Sequence, residues 1–357
     1  MRFLTSWTIV APLLAWLMYA GALYGLNGPF LVLVAAGLIG AVLAAVHHAE
    51  VVAHRIGEPY GTLVLALAVT LIEVALIVSL MLSGGPETMT LARDTIFAAV
   101  MIILNGIVGI CLLVGGMRHR EQSYGLEGVS ASLTTLSAIT VLTLILPNYT
   151  VSISGPVYSP SQLAFIAFVS LVLYGMFVLV QTVKHRDYFL PPDADGNEDA
   201  HATLPTVKTA VLSGLLLVAC LVVVVLLAKK LSPSIEAFVA SVGAPQALVG
   251  IIIAGVVLLP EGIAALFAAR ENRLQTSLNL ALGSVLASIS LTIPAVAVVS
   301  MYSGLTLTLG IDVKSTVLLL LSLFITAIAL RTGKSTIIQG AVLLVIFAVY
   351  LFTTVVP

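Results

Sequence analysis

The chain has 357 residues, of which 60% are apolar and 9% charged, and its formal net charge is -1. An ordinary soluble domain carries roughly 25% charged residues, so 15 basic and 16 acidic side chains cannot cover a water-soluble particle of this size. That excludes a soluble enzyme, a disordered chain and a nucleic-acid binder with a basic face. It leaves an all-α polytopic membrane protein, because a β-barrel would show short alternating segments in place of long apolar runs.

A spanning helix needs about 20 mostly apolar residues. Eleven such stretches are expected, at 6–25, 29–49, 60–83, 93–116, 128–147, 161–183, 206–228, 245–269, 274–302, 313–331 and 335–356. The one charged residue before the first is Arg2, and Ala20-Gly21 is a poor cleavage site, so it reads as a retained helix and not a signal peptide. It holds a GxxxG, Gly21 to Gly25, a spacing that can pair helices or simply pack closely. Span two ends in His47, His48, Glu50, His54, Arg55 and Glu58. His47, Glu50 and His54 share a helix face by their spacing of three and four, but HHAEVVAH is not HExxH and no distant Cys or His cluster completes it. The expectation is a hydrated helix end, with His48, Glu50 and Glu58 as candidates for a proton pathway.

Residues 59–86 hold one charged residue, Glu73, near the centre of span three; residues 237–269 again hold one, Glu261, in span eight. A charge at the bilayer centre costs roughly 2.5–3.5 kcal/mol on insertion scales, and such residues usually face a protein-lined cavity on an ion or proton path. Breakers stand beside both: Pro59 and Gly61 open span three, and Gly255, Pro260 and Gly262 surround Glu261. A proline removes one N–H and frees a carbonyl, which at membrane depth can coordinate a cation where it lines a cavity. Span four offers Asn105 beside Gly106 and Gly109, and span nine offers Ser284, Ser288, Ser290 and Thr292 before Pro294. Asn105, Ser284 and Ser288 are candidate secondary ligands; hydroxyls bonded to their own preceding turn are the alternative. Cys111 and Cys220 lie inside apolar runs and read as packing residues.

Basic residues suggest the orientation. With eleven spans, the amino terminus and the even-numbered loops share one side, which holds Arg2, Arg55, Arg118, Arg120, Lys184, Arg186, Lys208, Arg270, Arg273, Arg331 and Lys334. The other side holds only Arg93, Lys229, Lys230 and Lys314. The positive-inside rule then puts the amino terminus in the cytoplasm and the carboxyl terminus outside. Lys229 and Lys230 are expected to anchor the outer end of span seven. The segment 184–205, with Asp187, Asp193, Asp195, Glu198 and Asp199, reads as an acidic cytoplasmic linker or a cation-collecting loop.

The expected organisation is an extra amino-terminal helix (1–28), a first five-helix repeat (29–183), the linker (184–205) and a second five-helix repeat (206–357). Spans two to six would match spans seven to eleven in opposite direction, which puts Glu73 and Glu261 in corresponding helices. Inverted repeats with a midplane site at interrupted helices are a recurrent transporter plan. Carboxylates, carbonyls and hydroxyls form a hard-oxygen set suited to calcium or an alkali ion, not zinc or copper. Low dielectric penalises an ionised carboxylate without a partner, so proton and cation compete for the same oxygens.

The strings AHRIGEPYG at 53–61, LIEVALIVSLM at 71–81, LPEG at 259–262 and LGSVLASISLTIP at 282–294 carry a resemblance. The chain resembles the cation/proton exchangers of the calcium/cation antiporter superfamily, close to the bacterial ChaA-type branch, over nearly its whole length. The resemblance implies an extra helix plus two inverted five-helix repeats, cation binding at Glu73 and Glu261, and an acidic residue like Glu50 at the end of the second helix. It also implies export of a cation, Ca2+ with Na+ and K+, from a bacterial cytoplasm in exchange for H+, with no cofactor. The partners implied are the lipid bilayer and small cations, no nucleic acid, and a homo-oligomer is compatible. Where calcium/proton exchangers usually carry Gly-Asn before each key glutamate, this chain has Thr70-Leu-Ile and Leu258-Leu-Pro, and Gly262 replaces the histidine after the second. These departures point toward a broader sodium, potassium and calcium range or a sodium- or potassium-selective exchanger. Two other classes stay open: a membrane-embedded metal- or haem-dependent enzyme, which needs several His or Cys at membrane depth, and a passive cation channel.

Overall fold

The computed structural model describes residues 2–26, 28–57, 60–84, 89–190, 205–241, 243 and 245–356. Glu58, Pro59 and the acidic residues Asp193, Asp195, Glu198 and Asp199 lie outside the described residues. Helices cover all eleven expected stretches. In chain order they are α1 (Arg2–Leu23), α2 (Phe30–Ile56), α3 (Tyr60–Gly84), α4 (Leu91–Met101) continuing through a π-turn into α5 (Val108–His119), α6 (Leu126–Thr140), α7 (Pro160–Leu179), α8 (Val207–Ser241), α9 (Ala247–Val257), α10 (Leu259–Arg270), α11 (Leu274–Ser303), α12 (Val313–Ala329) and α13 (Ile337–Val355). Among the described residues seven helices are long and apolar enough to cross a membrane, or eight if the bent pair α9 and α10 is one span; Trp7–Leu23, Leu67–Leu82 and Val313–Ala329 are shorter apolar pieces.

The helix starts follow from local chemistry. Ser159 caps α7 with Pro160 at the first position, and Ser159 and Gln162 bond each other's backbone as a capping box. Thr336 and Gln339 do the same for α13, and Asp312 accepts from the Ser315 N–H at 3.1 Å at the head of α12. Such caps satisfy N–H groups that have no intrahelical partner. Two local expectations are corrected. The GxxxG is not a helix face: α1 stops at Leu23, and Gly25 lies beyond it at φ +86°. Span seven does not end at Lys229-Lys230 either, because α8 runs on through Pro233 to Ser241.

The chain forms two compact units, Met1–Gly84 with His201–Val249, and Gly85–Ala200 with Gly250–Pro357. In the first, α2 packs against α1, α3 and α8. Its buried face includes Gly37, Ala41, Ala44, Ala45, Ala49 and Ala53. Small side chains let helix backbones approach closely in lipid, where apolarity alone gives no preference for another helix.

In the second unit α11 is the central helix, packed against α4, α5, α6, α7 and α10. α5 crosses α13 on glycines. A Cβ at Gly340 would lie 2.6 Å from the Gly109 carbonyl oxygen and 2.9 Å from Leu113 Cα, and one at Gly116 would lie 3.0 Å from the Ile337 nitrogen. A two-residue pairing of β1 (Gln122–Ser123) with β2 (Lys334–Ser335) closes one end of the unit. There Gln122 Nε2 donates to the Ala269 carbonyl at 2.9 Å and to Asn272 Oδ1 at 3.0 Å. At the other end Arg93 pairs with Asp94 at 2.8 Å and donates to the Gly310 carbonyl at 3.1 Å. That ties the start of α4 to the loop before α12.

Candidate functional site

Glu73 lies in the first unit, on the continuous helix α3. Only 3% of it is exposed, and Thr70, Leu76, Ile77 and Leu80 are buried on the same face. Leu67, Leu71 and Leu82 on other faces are exposed. The helical period therefore carries the carboxylate inward and the leucines outward. The interruption expected beside Glu73 is not found, since α3 runs unbroken from Tyr60 to Gly84.

Glu261 lies in the second unit, and here the helix is broken. α9 and α10 meet at Leu258 with a bend of 55°. Leu258 N–H closes α9 on the Ala254 carbonyl at 2.9 Å, and the Leu258 carbonyl opens α10 by accepting from Gly262 N–H at 2.9 Å. Pro260 has no N–H to give the Val256 carbonyl, so the α9 ladder cannot continue. Glu261 sits in the first turn of α10 with both carboxylate oxygens buried. The N-terminal end of a helix favours negative charge, and the C-terminal end of α9, with its freed carbonyls, favours a cation. Gly262 leaves room for the neighbouring helix: a Cβ there would lie 3.2 Å from Ile107 Cδ1.

The secondary candidates divide. On α11, Ser288, Ser290 and Thr292 are buried and Ser284 is half-buried. Asn105 is fully buried in the π-turn Ile102–Ile107, and it turns to α12. Its Nδ2 donates to Ser322 Oγ at 2.9 Å and to the Met101 carbonyl at 3.4 Å. Ser322 was missed in the sequence; the signal that could have found it is Ser322 and Thr326, four apart and the two polar residues between Val317 and Ala329.

His48 and Glu50 face different ways. Glu50 is exposed. His48 is 3% exposed, and its Nε2 lies 3.1 Å from the Thr8 carbonyl of α1. Pro12 stands four residues after Thr8 inside α1 and cannot supply that carbonyl with a helical N–H, so the imidazole Nε2–H donates in its place. His48 thus holds α1 to α2. His47 packs toward Trp7, with ring centroids 6.4 Å apart. Among the described residues no three His, Cys, Asp or Glu side chains are grouped as metal ligands. Cys111 and Cys220 are buried free thiols.

Apolar helices, a buried carboxylate on an unbroken helix and a second at the head of a half-helix define the class of membrane-embedded secondary ion transporters. The model of the family described as sodium/calcium exchanger protein matches residues 28–183 and 212–356, and the chain belongs to that family. It is a secondary transporter and not an enzyme. The chain is 50% identical over 328 residues to the protein y4hA of Sinorhizobium fredii, covering 92% of this chain and 89% of that one. It is 35% identical to the sodium-potassium/proton antiporter ChaA of Escherichia coli, over 89% of this chain and 86% of that one. Among solved structures it resembles native YfkE with a TM-score of 0.75 at 17% identity, covering 98% of this chain and all of that one. That likeness concerns the fold.

Proposed function

We propose that this protein is a secondary cation/proton antiporter that exports Ca2+, and also Na+ and K+, in exchange for H+ by alternating access. The observation that carries the reading is Glu261, a buried carboxylate in the first turn of a half-helix behind a 55° break. An ionised carboxylate in low dielectric needs a counter-charge. Either a proton or a metal cation supplies it, so binding one displaces the other. Glu73 and Glu261 are the groups that take up cation and proton, and Ser284 and Ser288 are secondary oxygen donors. Glu50 and Glu58 remain candidates for proton entry at the end of α2, whereas His48 acts by holding α1.

Two inverted five-helix repeats fit this reading, and separate family matches over residues 28–183 and 212–356 support them. We place the protein in a bacterial cytoplasmic membrane with its amino terminus inside, on the distribution of basic loops. The bilayer and small cations are its partners, a homo-oligomer is compatible, and its ligands are the transported ions.

A sodium- or potassium-selective exchanger is the second reading. It is favoured by 35% identity to a relative named for sodium, potassium and protons, and by Ile72 and Pro260 standing where calcium exchangers carry asparagine before the glutamates. Everted vesicles with an imposed proton gradient, challenged separately with calcium, sodium and potassium, decide between them. Dissipation by at least one cation supports antiport, and which cations act sets the range. No dissipation by any of the three, from vesicles shown to contain the protein, defeats it.

A further inference from the structure

The span formed by α4 and α5 contains a π-turn at Ile102–Ile107. A π-turn is one extra residue in an α-helix, and it disturbs the i→i−4 ladder. Asn105 lies within it, and its side-chain N–H groups go to the Met101 carbonyl at the start of the turn and to Ser322 Oγ. Ser322 donates its own proton to the Leu318 carbonyl at 2.7 Å, so toward Asn105 it can only accept. That fixes which end of the amide faces it. Both side chains are fully buried, so neither finds a substitute in water.

The other side of the same turn bears on the ion-carrying group. Ile107 meets Gly262, where a Cβ would lie 3.2 Å from Ile107 Cδ1, and Gly262 follows Glu261 directly. Removing the extra residue of a π-turn rotates all that follows by about 100°, the angle of one α-helical residue. Ile107 would then swing off Gly262, and the first turn of α10 would lose the surface that sets its position. We propose that Ser322 is a positioning residue for cation binding: through Asn105 it holds the π-turn, and the π-turn holds Gly262 and therefore Glu261. The inference rests on the reading of Glu261 as an ion-carrying group.

The test uses the purified full chain in proteoliposomes with an imposed pH gradient. Half-saturating concentration and maximal rate are measured for whichever of calcium, sodium and potassium the wild type exchanges. Ser322→Ala is expected to raise the half-saturating concentration roughly three- to tenfold, the equivalent of one buried hydrogen bond, with the maximal rate within about twofold. Ser322→Thr keeps the accepting oxygen and is expected to restore the wild-type value. An unchanged half-saturating concentration in Ser322→Ala overturns the proposal. So does a loss of folded protein and maximal rate together with affinity unmoved, which is what a merely structural role gives. If Ser322→Ala does not reach the membrane, Ser322→Cys, similar in size with a weaker acceptor, takes the same measurement with a smaller rise expected and the same result overturning. Glu261→Gln is assayed alongside: wild-type exchange by it would overturn the reading of Glu261 itself, and that result is independent of the Ser322 variants.

Discussion

His48 Nε2 and the Thr8 carbonyl lie 3.1 Å apart, and Pro12, four residues after Thr8 in α1, has no N–H to give that carbonyl. A proline in α1 and a histidine in α2 are thus one device. His48→Leu is expected to lower stability by about 1–2 kcal/mol, since a buried hydrogen bond between α1 and α2 is then lost. His48→Gln, which keeps a donor, should lose less. Thermal unfolding in detergent reads the difference. Neither variant should change the pH profile of exchange; a shifted profile in His48→Gln would return the residue to the proton pathway.

Glu73→Gln and Glu261→Gln should each abolish exchange while leaving insertion and folding intact. Truncating one partner of a buried charge contact, here carboxylate and cation, costs roughly 2–5 kcal/mol of binding, which is about thirtyfold to several-thousandfold in cation affinity. Ser288→Ala should be much milder. Proton-coupled cation uptake by the purified variants measures all three, and equal severity of Ser288→Ala and Glu73→Gln would move Ser288 to direct coordination.

Pro260 maintains the break in front of Glu261. Pro260 stands in the first turn of α10, where proline is tolerated, but in a straight α9–α10 helix it would be interior and cost about 3 kcal/mol; Pro260→Ala lifts that cost and offers an N–H to the Val256 carbonyl. The helix should straighten. Turnover is expected to fall by roughly tenfold or more, as a pre-formed carbonyl end is lost to helix, without a fall in melting temperature. Full activity in this variant would show that the break is not needed for exchange.

The glycine crossing of α5 and α13 is a stability prediction. Gly340→Ala puts a Cβ 2.6 Å from the Gly109 carbonyl oxygen, and the helices must part at a cost of about 1–3 kcal/mol. Gly175→Ala, on an exposed position of α7 with nothing within 4 Å of its Cβ, is the control and should not destabilise. Melting temperatures of the two variants in one detergent make the comparison.

Much of this was legible in the sequence because its cause is local. Apolar runs of spanning length mark where helices form, whatever packs beside them, and all eleven expected stretches are helical. Pro260 before Glu261 marks a break because a missing N–H ends a ladder at that point. The burial of Glu73 follows from a charge that has no place in lipid. Tertiary structure alone decided the partners. α8 joins α1, α2 and α3 in one unit though more than a hundred residues separate them, Asn105 bonds Ser322 across 217 positions, and His48 serves α1. In a chain where nearly every helix is apolar, hydrophobicity cannot tell one neighbour from another; close approach at glycines and alanines and a few buried hydrogen bonds make that choice, and these are properties of surfaces that exist only once the helices have met.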